Sequence, residues 1–264
     1  MDRNGERSHR RRRESGQAAV ESAIVLPLFV FLLLGILQLG LMHQARLLTK
    51  YAAYKAVRAG SLHHADVKVM ERAALAVLLP LVSRDLGGGE HIKSVTSADD
   101  FSAKWKWRSV ELNQMPEANE LQYAQVTICG PLRRHFPGNP AEVDFDDPDW
   151  STGGYDEWQQ GERTKLRIQV TFNYRMPIPF ANQVIHAAAR QREITPVLRL
   201  KRSTDQTRRP ETEEKKERFR EHDRLASQGL YVLPIRATYT MRMQSNLYLR
   251  QRPLPVENEC IFAF

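Results

Sequence analysis

The chain has 264 residues and a formal net charge of +8, a basic balance that raises nucleic-acid binding as a first hypothesis. No nucleic-acid-binding motif accompanies the charge, and the two cysteines form no Cys-x-x-Cys pair that would predict a structural zinc site. There is also no His-Glu-x-x-His, Gly-x-Ser-x-Gly or phosphate-loop motif. Composition and motifs therefore predict a protein that is not an enzyme, takes no cofactor or metal and binds no nucleic acid.

The N-terminus combines a basic leader with a long apolar segment. Residues 1–16 hold six arginines against three carboxylates, and residues 22–42 follow as 21 residues without a formal charge, SAIVLPLFVFLLLGILQLGLM. A helix needs about 20 apolar residues to cross a bilayer, so we predict a helix over residues 17–60 with a transmembrane segment at about 22–42, embedded in membrane lipid. Because the basic flank stays in the cytoplasm, the C-terminal domain is predicted to be periplasmic or otherwise extracytoplasmic.

The apolar segment fits a cleaved signal or a buried core helix less well. A cleaved secretory signal has a shorter apolar region, about 7–15 residues, followed by a small-x-small site, whereas this segment is longer and continues into MHQARLL. A twin-arginine export signal fits poorly because ESGQ follows the arginines. A buried core helix is rarely apolar on every face over such a length. An uncleaved anchor that tethers an extracytoplasmic enzyme or binding protein remains the alternative function.

The junction between leader and anchor carries the residues of greatest interest. Gly16 immediately precedes the helix, and Glu21 is the fifth residue after it. If a peptidase cut after Gly16, Gln17 would carry a new α-amine about one helical turn from Glu21, which could neutralise an amine of its own or of a neighbouring subunit. A carboxylate that only reaches lipid headgroups is the equal alternative. Pro27 inside the apolar segment predicts a helix kink.

A basic leader, Gly16, Glu21 and an apolar helix together resemble the type IV prepilin pattern. The sequence GQAAVESAIVLPLFVFLLLGILQLG resembles the TadE/TadG-like pseudopilins of Flp (tight adherence) pilus systems, and the resemblance is strongest over residues 15–60. Two departures are Ser22, where many members have an aromatic residue, and the arginine-rich leader. The resemblance implies cleavage after Gly16 by a prepilin peptidase. It also implies a place in the inner (cytoplasmic) membrane with other pilins, pseudopilins and an assembly platform, serving adhesion or secretion.

The remainder predicts a second helix and a sheet. Apolar residues recur at helical spacing within residues 61–86, and residues 166–174 and 235–243 each alternate apolar and polar side chains over nine positions. Residues 123–128 and 196–200 are further strand candidates, and the alternation of Trp105 and Trp107 also fits a strand. We therefore predict a pilin-like α+β fold: a long N-terminal transmembrane helix, a second helix, and an antiparallel β-sheet domain over residues 87–264 with one face in water.

Three features of this domain remain open from sequence alone. The acidic segment 144–158 could bind calcium, but Thr152 and Trp158 break the EF-hand template, so a solvated loop is favoured. The charged insert 201–224 predicts an exposed linker with a short helix after Pro210, or less simply a docking surface. Cys129 and Cys260 are a candidate disulfide, with two buried thiols as the alternative; a bridge would add about 4–5 kcal/mol in the loop-entropy model.

Overall fold

The structure is a computed structural model, and it describes residues 5–85, 90–118, 121–138, 140–147, 161–190 and 213–261. The strand candidate at 196–200 and most of segment 144–158 lie outside these residues. The helices are α1 Gly5–Leu62, α2 Val67–Leu78, α3 Ala98–Trp105, α4 Arg108–Glu111, α5 Ala181–Arg190 and α6 Glu213–Ser227. The strands are β1 Arg84–Asp85, β2 Glu90–His91, β3 Ala124–Gly130, β4 Glu142–Val143, β5 Lys165–Arg175, β6 Val232–Arg242 and β7 Leu247–Tyr248.

Two compact units make up the chain. One consists of Met1–Leu41 with Pro177–Arg199, and the other consists of Met42–Met176 with Leu200–Phe264. The helix α1 runs through the boundary between them, so its first part belongs to the smaller unit and its last part to the larger. The predicted α+β fold class, with a long apolar N-terminal helix, a second helix and an antiparallel sheet, is confirmed.

The larger unit is built on a three-stranded antiparallel sheet in the order β3-β5-β6. The central strand β5 pairs Val170 with Val126 of β3 and with Ala237 of β6. Alternation along β5 predicts the buried face correctly, because its apolar residues are all within 1% of complete burial: Leu166, Ile168, Val170, Phe172 and Tyr174. This apolar face is the core of the unit.

The last part of α1 covers the apolar face of the sheet. The ring of Tyr54 meets that of Tyr239 edge-on at 5.4 Å between centroids. Gly60 is required for close approach, since a Cβ there would lie 2.9 Å from Cδ2 of Leu166 and would clash with Met70. A larger residue at position 60 would therefore require the Met70 and Leu166 side chains to shift in the packed core.

The opposite face of β5 is in water only at its start, where Lys165 and Arg167 are exposed, so the expectation of one wet face holds for part of the strand and fails for the rest. Gln169, Asn173 and Arg175 are each at most 5% exposed. The C-terminal tail covers the first of these, because the Gln169 side chain accepts from the Ile261 N–H at 2.9 Å and donates to the Ile261 carbonyl at 2.8 Å. The ring of His222 in α6 lies 3.2 Å from the Asn173 side-chain oxygen, so α6 covers the far end of the strand.

The region around Trp105 and Trp107, where the alternation of the two tryptophans predicted a strand, is helical. Trp105 is the last residue of α3, so the strand interpretation of Trp105 and Trp107 is wrong. The helix begins at a capping box in which Ser97 and Asp100 exchange side-chain to backbone hydrogen bonds. This capping signal predicts the helix here better than an alternation of two residues predicts a strand. In the charged insert, α6 confirms the helix expected after Pro210.

Lys104 of α3 is fully buried and predicts a pH-dependent stability. Its ammonium donates to the carbonyls of Lys93 at 2.9 Å and Pro80 at 3.4 Å. Burial, and then repulsion by Lys93, lowers the Lys104 pKa from 10.5 to about 8. The unfolded chain therefore binds more protons between about pH 8 and 10.5, so stability rises with pH in that window.

The window covers about 2.5 pH units, so we expect the free energy of unfolding to rise by at most about 3.5 kcal/mol, at about 1.4 kcal/mol for each unit of pKa shift. The Lys104→Met variant should lack this part of the rise. Urea denaturation at a series of pH values measures it, and the other titrating side chains are common to both proteins. Parallel pH profiles for the two proteins would contradict the prediction.

Candidate membrane and assembly helix

The first part of α1 is apolar and uncovered. By length and composition it is the one helix in the described part of the chain that could cross a membrane, within Ala19–Leu62, and only 6% of its apolar window is buried. A core helix of the same composition would be covered by protein. Its large apolar side chains stand outward on all sides, including Val20, Ile24, Leu28, Phe29, Leu32, Ile36 and Leu39. This surface fits lipid or the apolar helices of partner subunits.

The predicted processing and assembly residues lie on this same helix. Gly16 and Gln17 both fall inside α1, which is helical from Gly5 onward. Glu21 is exposed, and it lies four residues, or about 6 Å of helix rise, beyond Gln17. Helical geometry therefore keeps Gln17 and Glu21 about one turn apart, as the sequence predicts. Pro27 also lies inside α1, and the kink predicted there stays a prediction.

Gln38 is an amide in the apolar segment that sequence reasoning passed over. Its side chain is completely buried, although its neighbours Leu37 and Leu39 are exposed. The side-chain oxygen accepts a hydrogen bond of 3.0 Å from the backbone N–H of Ile178. A polar side chain inside an apolar span usually has a partner, and that rule could have identified Gln38.

The last part of α1 has two faces of different character. Its buried stripe consists of small residues at helical spacing, namely Ala45, Thr49, Ala52, Ala53, Ala56, Val57 and Gly60. Arg46, Lys50 and Arg58 are exposed on the other face. Small side chains allow the helix to lie close to the sheet, while the cations face away from the core.

Cys129 and Cys260 are joined by a disulfide. Their Cα atoms are 5.4 Å apart, and the bridge spans 131 positions of sequence. It links β3 to the C-terminal tail, the same tail that covers Gln169 on β5. The bridge therefore attaches the tail to the face of the sheet that α1 does not occupy.

The described residues contain no group of three or more His, Cys, Asp or Glu side chains that could hold a metal ion. A shallow groove on β5 and β6 is lined by Arg167, Thr238, Tyr239 and Thr240. None of these four offers the carboxylate or imidazole that general-base catalysis most often uses. The expected absence of catalysis and of metals remains a prediction.

An exposed apolar helix near the N-terminus, in a chain that also forms an antiparallel sheet domain, is consistent with membrane anchoring. The family model described as TadE-like protein matches residues 16–58, which include Gly16, Glu21 and most of α1. That match supports assignment of the chain to the TadE-like family through its N-terminal segment, and this family is associated with Tad pili. Neither a curated protein nor a solved structure matches the chain.

Proposed function

We propose that the chain is a membrane-anchored pseudopilin, similar to a minor pilin, that serves Flp/Tad-type pilus assembly or secretion after cleavage behind Gly16. The observation that carries the proposal is the TadE-like match over residues 16–58, on a helix whose apolar surface is exposed. The family is not one of enzymes, so the chain acts by assembling with other proteins and catalyses no reaction.

The anchor holds the subunit in the inner membrane before assembly. The arginines of the leader remain in the cytoplasm, and the sheet domain lies on the other side. The Cys129–Cys260 bridge supports this orientation, because disulfides persist outside the cytoplasm and are rare within it.

Processing by a prepilin peptidase removes the basic leader and frees the α-amine of Gln17. Gly16 helps here, since glycine costs about 1 kcal/mol of helix stability relative to alanine and weakens α1 at the cleavage point. Glu21 then neutralises the amine of its own or of a neighbouring subunit, which brings apolar helices into alignment at the inner-membrane assembly platform.

N-terminal sequencing of the membrane-extracted protein tests the processing step. In a strain with an active prepilin peptidase we expect the chain to begin at Gln17, and Gly16→Ala to leave the leader attached. Gly35→Ala is the matched control, because Gly35 lies in the same helix and a methyl group added there would have nothing within 4 Å. A Met1 terminus in the wild-type protein would contradict processing and favour an uncleaved anchor that tethers a binding protein or enzyme.

The role of Glu21 is tested separately from cleavage. Glu21→Ala should be processed normally and should lose piliation, since it removes only the carboxylate that neutralises the α-amine. Glu14→Ala is its control, because that glutamate leaves with the leader. Normal piliation in the Glu21→Ala strain would reject the assembly role and leave a headgroup contact as the role of this carboxylate.

A further inference from the structure

Residues 177–190 are attached to α1 inside its apolar segment. The hydrogen bond from Ile178 N–H to Gln38 lies four residues, or about 6 Å of helix rise, before Met42 at the end of that segment. If α1 spans the bilayer as proposed, the turn that holds Ile178 lies at the depth of the membrane boundary. Neither the TadE-like match nor the Gly16 and Glu21 pattern extends to these residues.

The backbone of this segment is suited to such a place. Pro177 and Pro179 lack an N–H group, so they present no donor that lipid would leave unsatisfied. The turn closes on itself, with Ala181 N–H donating to the Pro179 carbonyl at 2.8 Å and Asn182 N–H to the Ile178 carbonyl at 3.1 Å. Its backbone polar groups are therefore largely bonded within the segment.

Phe180 combines a positive φ with an exposed aromatic ring. Its φ is +63°, which is strained for a bulky side chain. The strain does not bury the ring, because 63% of Phe180 is exposed. The exposed ring is therefore available to an apolar environment outside the chain.

The helix α5 that follows buries two polar side chains and exposes several apolar ones. Asn182 and His186 are turned inward and buried, whereas Val184 is 52% exposed and Ala187 and Ala188 are also exposed. Val184, Ala187 and Ala188 lie at helical spacing on the outside of α5, beside the exposed Gln183, and the exposed Phe180 stands just before the helix, so together they form one outward and mainly apolar face. We name this face, with its four apolar residues, the α5 apolar face.

We propose that the α5 apolar face is a second membrane contact, inserted at the boundary between headgroups and acyl chains beside α1. Lipid is the occupant because the face begins two residues after Ile178, which is bonded to the lipid-exposed part of α1. In the sequence, Arg190 and Arg192 follow this face, and cations bind favourably to anionic headgroups. This inference rests on the proposed anchoring by α1.

Spin labelling of the full-length chain tests the contact. Single variants Phe180→Cys, Val184→Cys, Leu37→Cys and Gln228→Cys, with the native disulfide intact, are labelled and reconstituted in vesicles of phosphatidylethanolamine and phosphatidylglycerol. Leu37 reports on the anchor, and the exposed Gln228 follows α6 and reports on water. Accessibility to oxygen, which concentrates in lipid, is compared with accessibility to a water-soluble nickel chelate.

Labels at 180 and 184 should have an oxygen-to-nickel ratio severalfold above that at 228 and close to that at 37. Nickel-accessible labels at 180 and 184, with a lipid-like label at 37, would overturn the second contact and leave the anchor intact. A nickel-accessible label at 37 would instead reject the anchor. Shielding of 180 and 184 from both reagents would show a protein occupant and would also overturn the proposal.

Discussion

Removing the disulfide between Cys129 and Cys260 is expected to lower the free energy of unfolding of the sheet domain by about 4–5 kcal/mol in the loop-entropy model. The bridge closes a loop of 131 positions, so it removes much of the freedom of the unfolded chain. For a domain of about 200 residues, a loss of this size lowers the melting temperature by about 10 °C.

The double variant Cys129→Ala, Cys260→Ala measures this loss through urea denaturation of the full-length protein in detergent. Tryptophan fluorescence is a suitable probe, because Trp105 and Trp107 belong to the larger unit. Reductant should destabilise the wild-type protein to a similar extent and should leave the double variant unchanged. Equal stability of the wild-type protein with and without reductant would contradict the prediction.

Contacts of the tail contribute separately from the bridge. Gln169→Leu removes the two hydrogen bonds between this side chain and the Ile261 backbone and keeps the disulfide. We expect a smaller loss, about 1–3 kcal/mol, because buried backbone groups lose their partner. A loss as large as that of the cysteine variant would show that the tail is held by its contacts and that chain entropy contributes little.

The sheet illustrates what alternation can and cannot predict. Nine alternating residues identify β5 and its buried face, because strand geometry places every second side chain on one side. The same pattern treated Gln169 and Asn173 as facing water, and both are buried. Their coverage depends on Ile261 and His222, which lie 92 and 49 positions away in sequence. Contacts over such distances leave no local pattern.

The helix α1 was predictable for the opposite reason. The environment of an apolar segment without charges follows from its own residues, so length and composition were enough to predict this helix. Within that segment, however, the partner of Gln38 comes from Ile178, 140 positions away. The presence of a polar residue in the span was visible in the sequence, whereas the segment that would cover it was not. The outward α5 apolar face was likewise invisible, because periodicity shows two faces and does not tell which is buried.

The disulfide was predictable only in part. With only two in the chain, one pairing is available, so the sequence names the candidate bridge. Whether the thiols meet depends on the register of β3 and on the path of the tail after β7. That geometry brings the Cα atoms to 5.4 Å, and no sequence pattern reports it.

Breaking the ion pair between Arg175 and Glu117 is expected to be the second large perturbation, at the low end of about 3–5 kcal/mol because the Glu117 side chain is 23% exposed. Nη1 of Arg175 lies 2.8 Å from Oε2 of Glu117, and the arginine side chain is only 2% exposed. Removing the carboxylate with Glu117→Gln leaves a buried cation with a weaker acceptor. The cost therefore comes from the charge that remains, more than from the bond that is lost.

Two comparisons isolate this effect in urea denaturation. Lys165→Ala breaks the pair with Glu162, whose side chains are 45% and 30% exposed, and should cost less than about 1 kcal/mol because water screens exposed pairs. The double variant Glu117→Gln, Arg175→Met removes the buried charge itself and should recover most of the stability lost in Glu117→Gln. A double variant as unstable as Glu117→Gln would mean that the buried cation is not the source of the loss. Arg175 would then contribute mainly through the packing of its side chain.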